Sequence, residues 1–98
     1  MRYAQELDIL RQNGEITIVV EQPLFRLGVP ENTYHADFLV IYKDGSVEAV
    51  DVKGVETTAF KRTKKLWESY GAIPLKIVKR FGGNFRTVEV LPAKRLLP

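Results

Sequence analysis

Apolar residues recur along residues 2–12 at Tyr3, Leu7 and Leu10, the i, i+4, i+7 spacing of one helical face. Asn13-Gly14 supplies the stop, with Gly14 suited to the position just past the last turn. The pattern then changes. Ile16 to Gln22 is a nearly continuous apolar run closed by Pro23, which predicts a central strand covered on both faces. Phe25 and Leu27 are expected to pack, with a surface turn at Pro30–Asn32. Tyr34–Tyr42 and Val47–Val52 read as two strands of a hairpin extending to Gly54. A helix is expected after Thr57 or Thr58, either of which can cap it, running to about Tyr70 before Gly71. Its apolar stripe reads as Ala59, Thr63, Leu66 and Tyr70, with Phe60 and Trp67 beside it. Residues 75–79 predict a strand, Gly82-Gly83-Asn84 a turn, and Arg86–Leu91 a further strand. The tail beyond Pro92 has no clear period, although Leu96-Leu97 could dock or mediate self-association. The order helix, strand, strand, strand, helix, strand fits a single domain over residues 1–98: an α/β mixed sheet with helices on both faces.

The hairpin carries the candidate chemistry. Lys43-Asp44-Gly45 suits a three-residue loop whose glycine is left-handed. In that register Leu39 faces Ala49, Ile41 faces Val47, and Asp37 lies across from Asp51. A two-residue Asp44-Gly45 loop would instead set Asp37 against Val52. Lys53 shares the face of Asp51 because side chains alternate along a strand. Two carboxylates roughly 5 Å apart repel by about 3 kcal/mol at an effective dielectric near 20. A shared proton, a neighbouring cation such as Lys53, or a divalent metal could offset this. A metal held by carboxylates beside a lysine is an arrangement suited to phosphodiester hydrolysis.

Asp37, followed after a hairpin by Asp51-Val52-Lys53, resembles the core of the PD-(D/E)XK nuclease superfamily. The longer ordered set is Gly14-Glu15-Ile16, Gln22-Pro23-Leu24-Phe25, Tyr34-His35-Ala36-Asp37-Phe38, Asp51-Val52-Lys53-Gly54 and Thr57. It is similar to a phage and prophage family of small restriction-endonuclease-like proteins related to Holliday-junction resolvases, over roughly residues 1–80. The resemblance implies a restriction-endonuclease-like core of order α-β-β-β-α-β and an Mg²⁺- or Mn²⁺-dependent DNA endonuclease. Asp37, Asp51 and the Val52 carbonyl would hold the metal, and Lys53 would serve the water or the transition state. A first-helix glutamate commonly joins such a site, and Glu6 is the candidate here, although the family usually places it further upstream. Gln22 is expected near the catalytic end of the sheet, and Thr57 with the lysines after it near the DNA. Branched DNA is a candidate substrate, and symmetrical cutting implies a homodimer. A phage or prophage protein of this kind would work in the host cytoplasm.

Composition adds limits. The net charge of +3 permits nucleic-acid binding without demanding it. Lys61, Lys64 and Lys65 share one side of the second helix just after Lys53, a natural phosphate-contacting face. There is no cysteine, which removes disulfides and thiolate metal sites. The single histidine, His35, reads as a surface residue at a strand start rather than a ligand. No apolar run is long enough for a membrane helix and no signal pattern follows Met1, which favours the cytosol. Two other readings compete: a catalytically inactive nucleic-acid-binding module, and a domain whose Asp37, Asp51 and Lys53 form only a structural ion cluster.

Overall fold

The computed structural model describes residues 2–94, so the Leu96-Leu97 pair lies outside the described residues. Along the chain come α1 (Tyr3–Gln12), β1 (Ile16–Glu21), β2 (Leu24–Arg26), β3 (Thr33–His35), β4 (Phe38–Tyr42), β5 (Val47–Val52), α2 (Thr58–Tyr70), β6 (Leu75–Phe81) and β7 (Asn84–Leu91). The fold is α/β, a mixed sheet with two helices. The five-stranded sheet has the order β1-β4-β5-β6-β7, and β2 and β3 form a separate ribbon. Only β5 and β6 run parallel, joined through α2; the other neighbours are antiparallel.

The first helix ends as its sequence directs. Gly14 has φ +81°, and the N–H groups of Gly14 and Glu15 donate to the Arg11 and Leu10 carbonyls, both at 3.0 Å. These bonds satisfy carbonyls the last helical turn leaves free. Leu7, with Tyr3 and Leu10 beside it, packs on Ile16, Val40, Val50 and Val78. Ala49, Leu75 and Ile77 belong to a second cluster with Phe60 and Trp67. Because Ala49 and Val50 alternate on one strand, the two helices cover opposite faces of the sheet.

The hairpin takes the three-residue loop. Leu39 pairs with Ala49 and Ile41 with Val47. The Tyr42 N–H donates to the Ser46 carbonyl at 2.9 Å, and Gly45 sits at φ +88°, a conformation glycine enters without steric cost.

Three expectations are corrected. First, β1 is an edge strand, not a central one, and Ile18 and Val20 remain partly exposed, at 46% and 41%. A continuous apolar run satisfies either position, and only the strand order separates them. Second, Tyr34 and Asp37 do not share a strand. The chain leaves β3 at His35 and re-enters the sheet at Phe38, with Tyr34 paired to Phe25. Third, α2 is rotated. Phe60 and Trp67 are its buried residues, while Ala59 and Tyr70 are exposed. The two large rings, seven positions apart, claim the sheet because they remove the most apolar surface from water. The Trp67 Nε1–H donates to the Ile73 carbonyl at 2.9 Å. Thr57 is the cap, its hydroxyl accepting the Phe60 N–H at 3.1 Å.

The last hairpin is longer than its sequence pattern suggests. β6 extends to Phe81, and the turn is Gly82-Gly83 with Gly82 at φ +61°. Phe81 pairs directly with Asn84.

Candidate functional site

The site lies where β5 ends and the chain enters from β3. Asp51 is 2% exposed and lies on the α2 face. It reaches that position because β5 alternates Ala49 and Asp51 toward α2 and Val50 and Val52 toward α1. The Tyr34 hydroxyl donates to Asp51 Oδ2. Lys53 Nζ stands 3.2 Å from Asp51 Oδ1 and 4.3 Å from the centre of the Phe60 ring. Burial pushes the Asp51 carboxyl above the ordinary aspartate range, and the Lys53 ammonium pulls partly against it. The Tyr34 ring is itself held edge-on against Trp67, with centroids 6.1 Å apart.

Asp37 is held differently. Its N–H donates to the Val50 carbonyl at 3.1 Å, and its carbonyl accepts the Gln22 N–H at 2.9 Å. Its Oδ2 accepts the Val52 N–H at 2.7 Å. Asp37 thereby joins the end of β1 to the end of β5. Gln22 sits at φ +50°, a left-handed conformation that costs a residue with a side chain about 1–2 kcal/mol. Such strain concentrates at functional positions. His35 faces the same carbonyl corner, its Nδ1 3.2 Å from the Gln22 oxygen. His35 is exposed at the end of β3, a neighbour of Gln22, as expected of a surface residue.

A cavity of about 850 Å³ opens beside these residues. Its wall carries the cations Arg2, Lys53, Lys79 and Arg80 and the carboxylates Glu21 and Asp37. Four positive against two negative side chains leave an excess of two positive charges, suited to an anionic ligand. Asp51 is not on that wall; it reaches the cavity through its contact with Lys53.

The structure brings Asp37, Val52, Lys53 and Gln22 to the one cavity, with Asp51 against Lys53. Glu6 is elsewhere, lining a smaller depression with Ile9 and Thr87. Thr57 lies at the start of α2, and Lys61 and Lys65 are exposed on that helix. Lys64 departs from expectation. Its ammonium is 3.0 Å from Glu56 and 2.7 Å from Glu89, so two carboxylates already occupy it. Its pKa rises through those two bonds, Glu89 first. The rotation of α2 accounts for this: it turns Lys64 inward toward β7, leaving Lys61 and Lys65 as the outward pair.

Sequence reasoning missed Glu21, Tyr34, Arg2, Lys79 and Arg80 as members of the site. Glu21 had a signal, since it ends the strand whose terminus Gln22 was already placed near the site. Tyr34 had none, because its approach to Asp51 depends on the β2–β3 ribbon.

Among the described residues, no group of three or more His, Cys, Asp or Glu side chains stands placed to hold a metal ion. The hard oxygen donors of the site are Asp37 and Glu21 on the cavity wall, Asp51 behind Lys53, and main-chain carbonyls. That donor chemistry suits a lightly held Mg²⁺ or Mn²⁺, which keeps much of its water and needs only one or two carboxylates. No helix among the described residues is long and apolar enough to cross a membrane.

No curated protein and no solved structure matches the chain. A family model does match, over residues 1–83, which spans α1 through the β6–β7 turn and includes every residue of the cavity wall except Phe85. The chain belongs to that family, the protein family of unknown function DUF1064.

Proposed function

We propose that the protein is a divalent-metal-dependent DNA endonuclease with a restriction-endonuclease-like core, acting on branched DNA as a homodimer. One observation carries the reading: Asp37 bonds the main chain of β5 beside Asp51, and Lys53 joins Asp51 to a cationic cavity. Asp37, Asp51 and the Val52 carbonyl are the groups that would hold Mg²⁺ or Mn²⁺. When bound, the ion would polarise the phosphate and lower the pKa of the attacking water. The chain's own residues do the rest. Lys79, Arg80 and Arg2 meet phosphate oxygens and fix the strand over β5. The Lys53 ammonium, steadied by Asp51 and by the Phe60 ring, stabilises negative charge gathering on the scissile phosphate. Tyr34 orients the Asp51 carboxylate through its hydroxyl.

The test is incubation of four-way-junction, linear and supercoiled DNA with the protein, with and without Mn²⁺. Metal-dependent cutting that Asp51→Asn abolishes is the expected outcome. Lys53→Ala is expected to lower turnover more than affinity; equal losses would make Lys53 a docking residue. Light scattering of the protein alone checks the dimer.

A second reading is a nucleic-acid-binding module without catalysis. It is favoured by the lack of a three-donor group among the described residues and by the Val52 N–H already on Asp37 Oδ2. Tight DNA binding with no Mn²⁺ uptake by calorimetry and no cutting would select it.

A further inference from the structure

The aromatic rings of the β6–β7 hairpin, Phe81 and Phe85, are not explained by a phosphate-cutting centre. Residues 79–88, KRFGGNFRTV, contain three cations and no acid. Phe81, at the very end of β6, keeps 48% of its surface in solvent. A single exposed phenylalanine is unremarkable in itself. This one is flanked by charge. The Arg86 guanidinium stands 5.3 Å from the centre of the Phe81 ring, and the Arg80 guanidinium 5.9 Å from the centre of Phe85. Phe81 and Phe85 both line the cavity that holds Asp37 and Lys53. The Gly82-Gly83 turn adds no side chain above the ring, and Arg80 Nε donates to the Gly82 carbonyl at 3.1 Å, bracing the tip.

We infer that this hairpin is a binding site for unpaired bases of a nucleic-acid strand, with Phe81 stacking a base while Arg80 and Arg86 meet the flanking phosphates. The inference rests on the nucleic-acid reading proposed above and names the form of the substrate. An aromatic face gives stacking with any base, and guanidinium groups add phosphate contact, the combination used by single-strand binders. A base inside a duplex has both faces covered by its neighbours, so an exposed ring discriminates in favour of unstacked nucleotides. Branched DNA offers such nucleotides at its branch point. The ring lies on the wall of the cavity beside β5, so a base held there would bring its own strand to Asp37 and Lys53.

The experiment is fluorescence anisotropy with a labelled single-stranded oligonucleotide and with the duplex of the same sequence. Chelator keeps the DNA uncut, and circular dichroism checks that each variant is folded. Phe81→Ala is expected to weaken single-strand binding by about five- to a hundredfold, and duplex binding by less than about twofold. Phe81→Trp should restore single-strand binding because it restores a ring. Arg86→Ala should weaken both forms. Wild-type binding that Phe81→Ala leaves unchanged, or lowers equally for both forms, overturns the base site while leaving the endonuclease reading standing. A wild-type protein that binds neither form also overturns the base site, and the endonuclease reading is then decided by the Mn²⁺ cleavage of branched DNA.

Discussion

Asp37 hydrogen-bonds the main chain on both sides of Asp51: its N–H reaches the Val50 carbonyl at 3.1 Å, and its carboxylate receives the Val52 N–H at 2.7 Å. A side-chain oxygen stands in for the next rung of the β4–β5 ladder, where the chain has already turned away toward β3. The two aspartates are thus coupled through backbone, not through a shared hydrogen bond. Asp51 spends its carboxylate on Tyr34 and Lys53 instead.

That coupling separates two substitutions at one position. Asp37→Ala leaves the Val52 N–H without its acceptor and is expected to cost about 1–2 kcal/mol of stability. Asp37→Asn keeps an acceptor oxygen and should unfold close to the wild-type temperature, yet lose DNA cleavage because the negative charge is gone. Thermal denaturation and a cleavage assay on both variants check this. Asn cleaving at the wild-type rate would remove Asp37 from the metal site.

The basic face of α2 is narrower than three lysines. Lys61→Ala and Lys65→Ala should each reduce the salt slope of DNA binding by about one unit. Lys64→Ala should leave the slope unchanged, because Glu56 and Glu89 already neutralise that ammonium. Affinity measured across a salt series decides between them. A Lys64→Ala slope that falls with the others would show that DNA displaces both carboxylates.

A polar group under α1 gives the fold an alkaline limit. Tyr42 donates its hydroxyl to Glu48, and Lys76 stands 2.9 Å from the same carboxylate. Burial, followed by the bond to Glu48, pushes the Tyr42 pKa from 10.0 up to about 12. A raised pKa means that folding favours the protonated phenol. The contribution is therefore full below pH 10.0 and is lost as pH rises toward about 12. The melting-temperature gap between wild type and Tyr42→Phe should narrow across that window, since phenylalanine does not titrate. A constant gap would refute the upward shift.

Gly71 is required for a steric reason. A Cβ at that position would lie 2.4 Å from Trp67 Nε1, and Trp67 is fully buried with its indole N–H on the Ile73 carbonyl. Gly71→Ala is expected to destabilise the protein by about 1–3 kcal/mol through overpacking. Gly54→Ala is the control, because its added Cβ meets open space. Chemical denaturation of the two variants should separate them clearly.

Much of the fold was legible because its signals are local. The α1 stripe of Tyr3, Leu7 and Leu10, the Gly14 stop, a cap at Thr57 or Thr58 and the hairpin register each depend on residues a few positions apart. The Lys43-Asp44-Gly45 loop alone sets which aliphatics meet across β4 and β5, but the pairing ends at Phe38 and Val50, so the position of Asp37 is set instead by its bonds to Val50 and Val52. Other features depend on partners far along the chain. The apolar run of β1 suits a centre or an edge, and only pairing with β4 alone makes it an edge. The helical period of α2 allows several stripes, and the packing of Phe60 and Trp67 against the sheet selects one.

The candidate site divides in the same way. By itself, the sequence determined the local elements, the hairpin register and the acid–x–lysine end of β5, since these follow from steric and hydrogen-bonding rules within short segments. Tertiary structure alone decided that Tyr34 holds Asp51, that Lys64 is already paired, and that Glu21, Lys79, Arg80 and Phe81 share one cavity with Asp37. Those contacts join strand ends drawn together by burial of two cores, and burial is a property of the whole chain rather than of any window along it.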